Sequence, residues 1–133
     1  MSEKLKYLSP EWAAEAFRRL KESFASADTP KVSAAMTNRY KNCPDGKDKY
    51  YYVSIVNGEV AELETGEGDG PDAEFKIIGD YDVFAMVSRC EISAQKALMG
   101  GKFKFKGNLV KGLKLASLAD RLNKITSEIP TEF

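Results

Sequence analysis

Histidine is absent from this 133-residue chain. That one absence removes a large share of known chemistry. Imidazole is the side chain that changes charge near neutral pH, so Ser-His-Asp and Cys-His nucleophiles and His-ligated metals are excluded. Carboxylates, lysines and tyrosines remain, but the commonest general base does not. Cysteine is scarce: Cys43 and Cys90 lie far apart, without a Cys-x-x-Cys unit, which leaves no thiolate zinc motif. Net charge is absent too, with 20 lysines plus arginines against 20 aspartates plus glutamates. No global field therefore draws the chain onto nucleic acid. No apolar run approaches the roughly 18 residues that a membrane span requires. The N-terminal MSEKLKYLSPEW lacks the apolar core of a signal peptide, and the C-terminal IPTEF carries no prenylation or peroxisomal tail. The expectation is a cytoplasmic protein with reduced thiols and neither metal nor cofactor.

What is present suits a globular domain. Hydrophobic residues make up 43% and charged residues 30%, which argues against disorder. The length suits one domain over residues 1–133, and a chain of this size buries about two-thirds of its unfolded surface.

Local patterns divide the chain. Ser9 can cap a helix with Pro10 at its first position. Trp12, Ala13, Ala16, Phe17, Leu20 and Phe24 then share an arc of about 140° at helical spacing. Pro30 closes that region. Val32 to Asn42 is ambiguous, and its second half reads as a first strand. Pro44-Asp45-Gly46-Lys47 is a turn. Tyr50 to Val56 is aromatic and β-branched, as strands are. Asn57-Gly58 is a strong hairpin signal, and Glu59 to Thr65 is the returning strand. Gly66 to Asp72 reads as a flexible loop, and Ala73 to Gly79 as a strand. Asp80 can cap a helix containing Val83, Phe84, Met86 and Val87. Ser93 to Met99 is a short helix stopped by Gly100-Gly101. Lys102 to Lys106 alternates Lys and Phe strictly, giving one dry and one charged face. A last helix spans about Leu109 to Thr126. Strands in a run with helices gathered late point to an α+β domain.

The last helix is the most informative element. Leu115, Leu118, Ala119, Leu122 and Ile125 share one face, while Leu109, Leu113 and Ala116 lie well away from it. A helix apolar on two faces needs cover on both. Either the N-terminal helix or a bound apolar molecule supplies the second cover. Lys111 sits in phase with Leu115 and Leu118. Its ammonium either reaches to solvent or stands at a cavity mouth to meet a carboxylate or phosphate head. Lys102, Lys104, Lys106, Lys111 and Lys114 form the cationic cluster. It is either a solvated edge or a docking patch for an anionic membrane surface. Nucleic acid is disfavoured, because Phe103 and Phe105 should face the core and offer no stacking surface. The GEGDG run at Gly66 to Gly70 lacks a P-loop pattern and is acidic, so it would repel phosphate.

The segment AEFKIIGDYDVFAMVSRCEISAQKALMGGKFKFKGNLVKGLKL resembles the core of the sterol-carrier-protein-2 (SCP2) family. The likeness runs from Ala73 through Asp82, Phe84, Gln95, Ala97, Gly101, Lys102 and Lys104. It is strongest at Gly107-Asn108 with Leu109, Lys114 and Leu115. The resemblance implies a twisted five-stranded mixed sheet covered by helices on one side. It also implies an apolar tunnel for a sterol, fatty acid, acyl-CoA or similar amphiphile. By that carry-over Phe84, Val87, Leu98, Met99, Phe103, Phe105, Leu109, Leu113 and Leu118 are lining candidates. The family often has an apolar or small residue where this chain has Lys111, so Lys111 is a candidate for meeting an acidic head. The expected function is a non-enzymatic lipid carrier. The alternative is an accessory domain presenting an apolar or acyl intermediate to a partner enzyme. Catalysis would need a base from Asp82, Glu91 or a lysine, and no carboxylates cluster to support one.

Overall fold

The structure, a computed structural model, describes residues 4–24, 31–114 and 116–133. Leu115 lies outside the described residues, as do the side chains of Leu109, Leu113, Lys114, Ala116 and Ser117. The elements run β1 (Leu5–Lys6), α1 (Pro10–Phe24), β2 (Ala34–Lys41), β3 (Lys49–Val56), β4 (Glu59–Glu67) and β5 (Phe75–Asp80). They continue with α2 (Tyr81–Ser88), α3 (Ala94–Met99), β6 (Lys104–Lys106), α4 (Leu109–Lys114), α5 (Ala116–Ser127) and β7 (Thr131–Glu132).

The main sheet has five strands in the order β4-β3-β2-β5-β6. β2 and β5 are parallel and the other neighbours antiparallel, so the sheet is mixed, as expected. Strand alternation decides which side chains face the helices. Met36 pairs with Val53 and Phe75, and Asn38 with Tyr51 and Ile77, so these residues share the inner face. The opposite face carries Arg39, Glu62, Glu64, Lys76 and Lys104. Thr37 also lies on that outer face, yet it is fully buried, because its hydroxyl donates to the Pro71 carbonyl at 2.7 Å. The glycine-rich loop before β5 thus folds over the outer face and rests on the Tyr50 ring.

Helices cover the inner face. The Trp12 amide donates to Ser9 Oγ at 3.2 Å, the cap read from the sequence. Trp12, Ala16, Leu20 and Phe24 are the buried stripe of α1. Asp80 does stand at the N-cap of α2, but its side chain makes no cap hydrogen bond. Its carboxylate instead accepts from Asn42 Nδ2 at 2.8 Å, tying β2 to β5. Ser93 caps α3 and Asn108 caps α4 through their side-chain oxygens.

The last helix read from the sequence is helical on both sides of Leu115, over Leu109–Lys114 and Ala116–Ser127. One feature departs from the sequence reading: the chain ends pair, β1 and β7 forming a parallel two-stranded sheet. The Trp12 indole donates to Thr131 Oγ1 at 3.2 Å, which fastens α1 to the C-terminal strand.

Candidate functional site

Between the inner sheet face and the helices the packing is incomplete. A cavity of about 90 Å³ opens there. Its floor is Met36, Val53, Ile55, Phe75 and Ile77 of the sheet. Its roof is Ala94 and Leu98 of α3 with Leu118, Ala119 and Leu122 of α5. Phe103, Phe105 and Gly112 close the side toward β6 and α4. Gln95 is the only polar residue among the described lining. The void has a sequence cause. Ala34, Ala94 and Ala119 present only a methyl group to it, where native packing would demand larger groups. Gly112 lets α4 approach the sheet: a Cβ there would stand 2.5 Å from the Phe105 ring.

A second cavity of about 40 Å³ adjoins the first. The two share Met36, Ile77, Ala94, Phe103, Ala119 and Leu122 as walls. Its chemistry differs, because Tyr7, Asn38, Tyr40, Tyr51 and Asn123 line it together with Phe84 and Val87. The Tyr7 and Tyr40 hydroxyls are hydrogen-bonded at 2.9 Å. Burial pushes the Tyr7 hydroxyl up to about 12, and burial also drives Tyr40 and Tyr51 well above their ordinary value. All three stay neutral near pH 7. Among the described residues, no carboxylate and no cation lines either cavity. The larger cavity therefore offers apolar contact, and the smaller one neutral hydrogen-bonding groups.

The residues singled out from sequence divide accordingly. Leu98, Phe105 and Leu118 stand on the larger cavity, Phe84 and Val87 on the smaller, and Phe103 on both. Phe103 stacks on Phe84 with ring centroids 4.5 Å apart. Met99 stands on neither. Leu98 turns inward, and the next helical position faces about 100° away, leaving Met99 68% exposed. Lys111 also lines neither cavity. It is exposed, ion-paired with Glu74, and stands over the Phe75 ring at 5.8 Å. Leu109 and Leu113 fall in α4, and their side chains lie outside the described residues. Lys102, Lys104 and Lys106 are exposed at the β6 edge.

Sequence reasoning missed Asn38, Tyr51, Ile77, Ala94 and Ala119. A signal existed for Asn38. In the alternation Ala34, Met36, Asn38, Tyr40 it is the one amide on an inward face.

Among the described residues no helix is long and apolar enough to cross a membrane, and no group of histidine, cysteine, aspartate and glutamate could hold a metal ion. Comparison with known proteins is informative at the level of family and fold. The SCP-2 sterol transfer family matches residues 3–120. Among curated proteins, none matches the chain. The solution structure of TT1886, a conserved hypothetical protein from Thermus thermophilus, superposes with a TM-score of 0.80 at 21% identity, covering 98% of this chain and 94% of that one. A crystal structure of sterol carrier protein 2 gives 0.79 at 20% identity, covering 93% and 99%. The palmitated SCP2L2 of Aedes aegypti gives 0.55 at 17% identity, covering 80% and 93%. At these identities the likeness shows the fold.

Proposed function

The chain belongs to the SCP-2 sterol transfer family, and from that premise we propose that it is a non-enzymatic carrier holding a lipid or similar amphiphile between its sheet and helices. The whole chain, residues 1–133, acts as one unit in this reading. The observation that carries it is the apolar void itself. Close packing is the rule in protein interiors, yet here Ala94 and Ala119 leave about 90 Å³ open against the sheet. A solved relative in this fold is described as palmitated, which agrees with an acyl chain as one form of cargo. Within the site, Leu98, Phe103, Phe105 and Leu118 grip the tail, and Phe84 and Val87 flank its inner end. Exposed Met99, with Lys102, Lys104 and Lys106 of the β6 edge, forms the surface that meets an anionic membrane during loading. The setting is the cytoplasm.

Apolar contacts discriminate weakly, by about 1–3 kcal/mol per methylene. The carrier should therefore take chains of several lengths. Titration with a fluorescent acyl chain tests the reading. Saturable binding at one site with micromolar affinity supports it. No saturable binding by the folded monomer up to about 100 μM would remove it, because that range reaches past ordinary carrier affinities.

A further inference from the structure

β4 is an edge strand. Among the described residues it pairs with β3 alone, so its other edge presents backbone N–H and C=O groups that no neighbouring strand satisfies. α1 runs beside that edge, and the two leave an open groove of about 740 Å³ between them. Strand alternation gives the groove two unlike sides. Leu63 pairs with Val53 and belongs to the inner face, where Ala13, Ala14 and Phe17 of α1 form the wall. Phe17 and Leu63 are only partly buried, so apolar surface lines that side. Glu62 and Glu64 pair with Ser54 and Tyr52 and belong to the outer face. β4 carries Glu59, Glu62, Glu64 and Glu67 and no cation. Glu67 is paired with Lys47, and Glu64 accepts from the Tyr50 hydroxyl at 2.7 Å. Glu59, Glu62 and Glu64 enter no ion pair among the described residues. Charge and bulges guard many edge strands against pairing, and the register of β4 does shift at Ala61. From Glu62 to Glu67 the register is regular. A guarded edge needs no apolar trough beside it, and this edge has one.

We propose that this groove docks an extended cationic segment of a partner protein, added to β4 as a further strand. The backbone of that segment completes the hydrogen bonds of the free edge, as strand addition does elsewhere. Its alternate side chains fall on opposite faces. Apolar ones meet Ala13, Phe17 and Leu63, and lysines or arginines meet Glu62 and Glu64. Charge decides against a second copy of β4, because two such strands would set glutamates against glutamates. β6 has the complementary sign in Lys104 and Lys106, but it is only 3 residues long. Lys21, whose ammonium stands 5.5 Å from the Phe17 ring centroid, bounds the apolar stretch on α1. Among the described residues the groove shares no wall with either cavity, so a partner held here leaves the cargo space free. The inference is independent of the carrier reading.

The probe is a fluorescein-labelled peptide of alternating lysine and valine, about eight residues long, an ordinary strand length. It is titrated with the purified full chain, and its anisotropy reports binding. Saturable binding with a Kd below about 1 mM is expected. Glu62→Lys, at an exposed position, should weaken it about tenfold, since one attraction is lost and one repulsion gained. A glutamate–valine peptide of the same length should bind at least tenfold more weakly than the lysine peptide. Strand addition also predicts what charge alone does not. Only one alternate set of peptide amides faces β4. N-methylating the lysines or the valines should therefore abolish binding in one case and spare it in the other. No saturable binding up to about 1 mM, equal affinity for the glutamate peptide, unchanged affinity in Glu62→Lys, or equal effects of the two methylations each overturns the proposal. Sedimentation of the chain alone checks the other occupant: self-association that excludes the peptide gives the groove to a second copy and overturns it too. The peptide comparisons use the wild-type chain, so they decide the matter even if the variant folds poorly.

Discussion

Ala119 is the position where a void and a packed core make opposite predictions. It lies on α5, is partly buried, and lines both cavities. Ala119→Leu adds three carbon atoms. Buried at about 0.8 kcal/mol each, they are worth about 2.4 kcal/mol. Ordering the new side chain costs about 0.5–1 kcal/mol, and the lower helix propensity a few tenths more. The net expectation is a gain of about 1–1.5 kcal/mol in unfolding free energy. Were this region close-packed, the same change would force side chains off their rotamers and lose about 1–3 kcal/mol. Urea unfolding followed by the fluorescence of Trp12, which is 1% exposed, measures the sign. In parallel, affinity for an acyl chain should fall at least tenfold, since the new side chain takes the space of the cargo. A variant destabilised by 1 kcal/mol or more with unchanged affinity would refute the reasoning. The lining would then be ordinary core.

Three further outcomes follow from the same geometry. Gly79→Ala should destabilise by about 1–2 kcal/mol, because its Cβ would stand 2.5 Å from the Phe103 ring and 3.4 Å from Phe84; a stabilised variant in thermal melts would contradict that contact. Lys111→Met should change stability by less than about 1 kcal/mol, since the pair with Glu74 is roughly half exposed, and should leave acyl-chain affinity within twofold; a tenfold loss would return Lys111 to the cavity mouth. Stability should hold up to about pH 10 and then fall. Tyr7 is raised from 10.0 to about 12 by burial, with Tyr40 and Tyr51 raised in the same way. A folded value above the unfolded one contributes stability that is complete below the unfolded value and lost as pH rises through the folded value. The loss is about 1.4 kcal/mol per pH unit for each such group. Tyrosinate absorbance followed through the titration checks it: these three should ionise only together with unfolding.

The parts of this fold that were legible in sequence are those set by neighbours along the chain. Tyr50 to Val56 reads as a strand and Lys49–Val56 is one. Asn57 and Gly58 both have positive φ, +52° and +80°, as a two-residue hairpin turn requires. Ser9 caps α1 as its position suggests. What was not legible depends on contacts distant in sequence. The β1–β7 pairing joins two-residue strands from opposite ends of the chain, and two residues carry no period. Asp80 looks like a simple cap, yet Asn42, brought beside it by the parallel β2–β5 pair, claims its carboxylate. The site was legible in the same uneven way. Periodicity identifies Leu98, Phe103, Phe105 and Leu118 as inward-facing, but it cannot tell an inward side chain that meets a neighbour from one that meets a void. Met99 shows the converse, an apolar residue whose helical phase turns it to solvent.

That distinction is carried by residues too small or too polar for their positions. Ala94 and Ala119 each underfill an apolar interior, and Asn38 buries a carboxamide oxygen without a partner beside it. Each departure alone is minor. Together they border two neighbouring cavities, and rules of packing broken in one place mark a site more reliably than any apolar stripe does. The magnitudes agree with that view. At about 24 cal/mol per Å³, the larger cavity of about 90 Å³ costs the empty chain about 2 kcal/mol. A cargo present at a hundred times its dissociation constant restores about 2.7 kcal/mol. The penalty built into the empty fold and the stabilisation offered by its ligand are therefore of one size. A bound molecule would therefore offset the cost of the void, which is the balance the proposed carrier role requires.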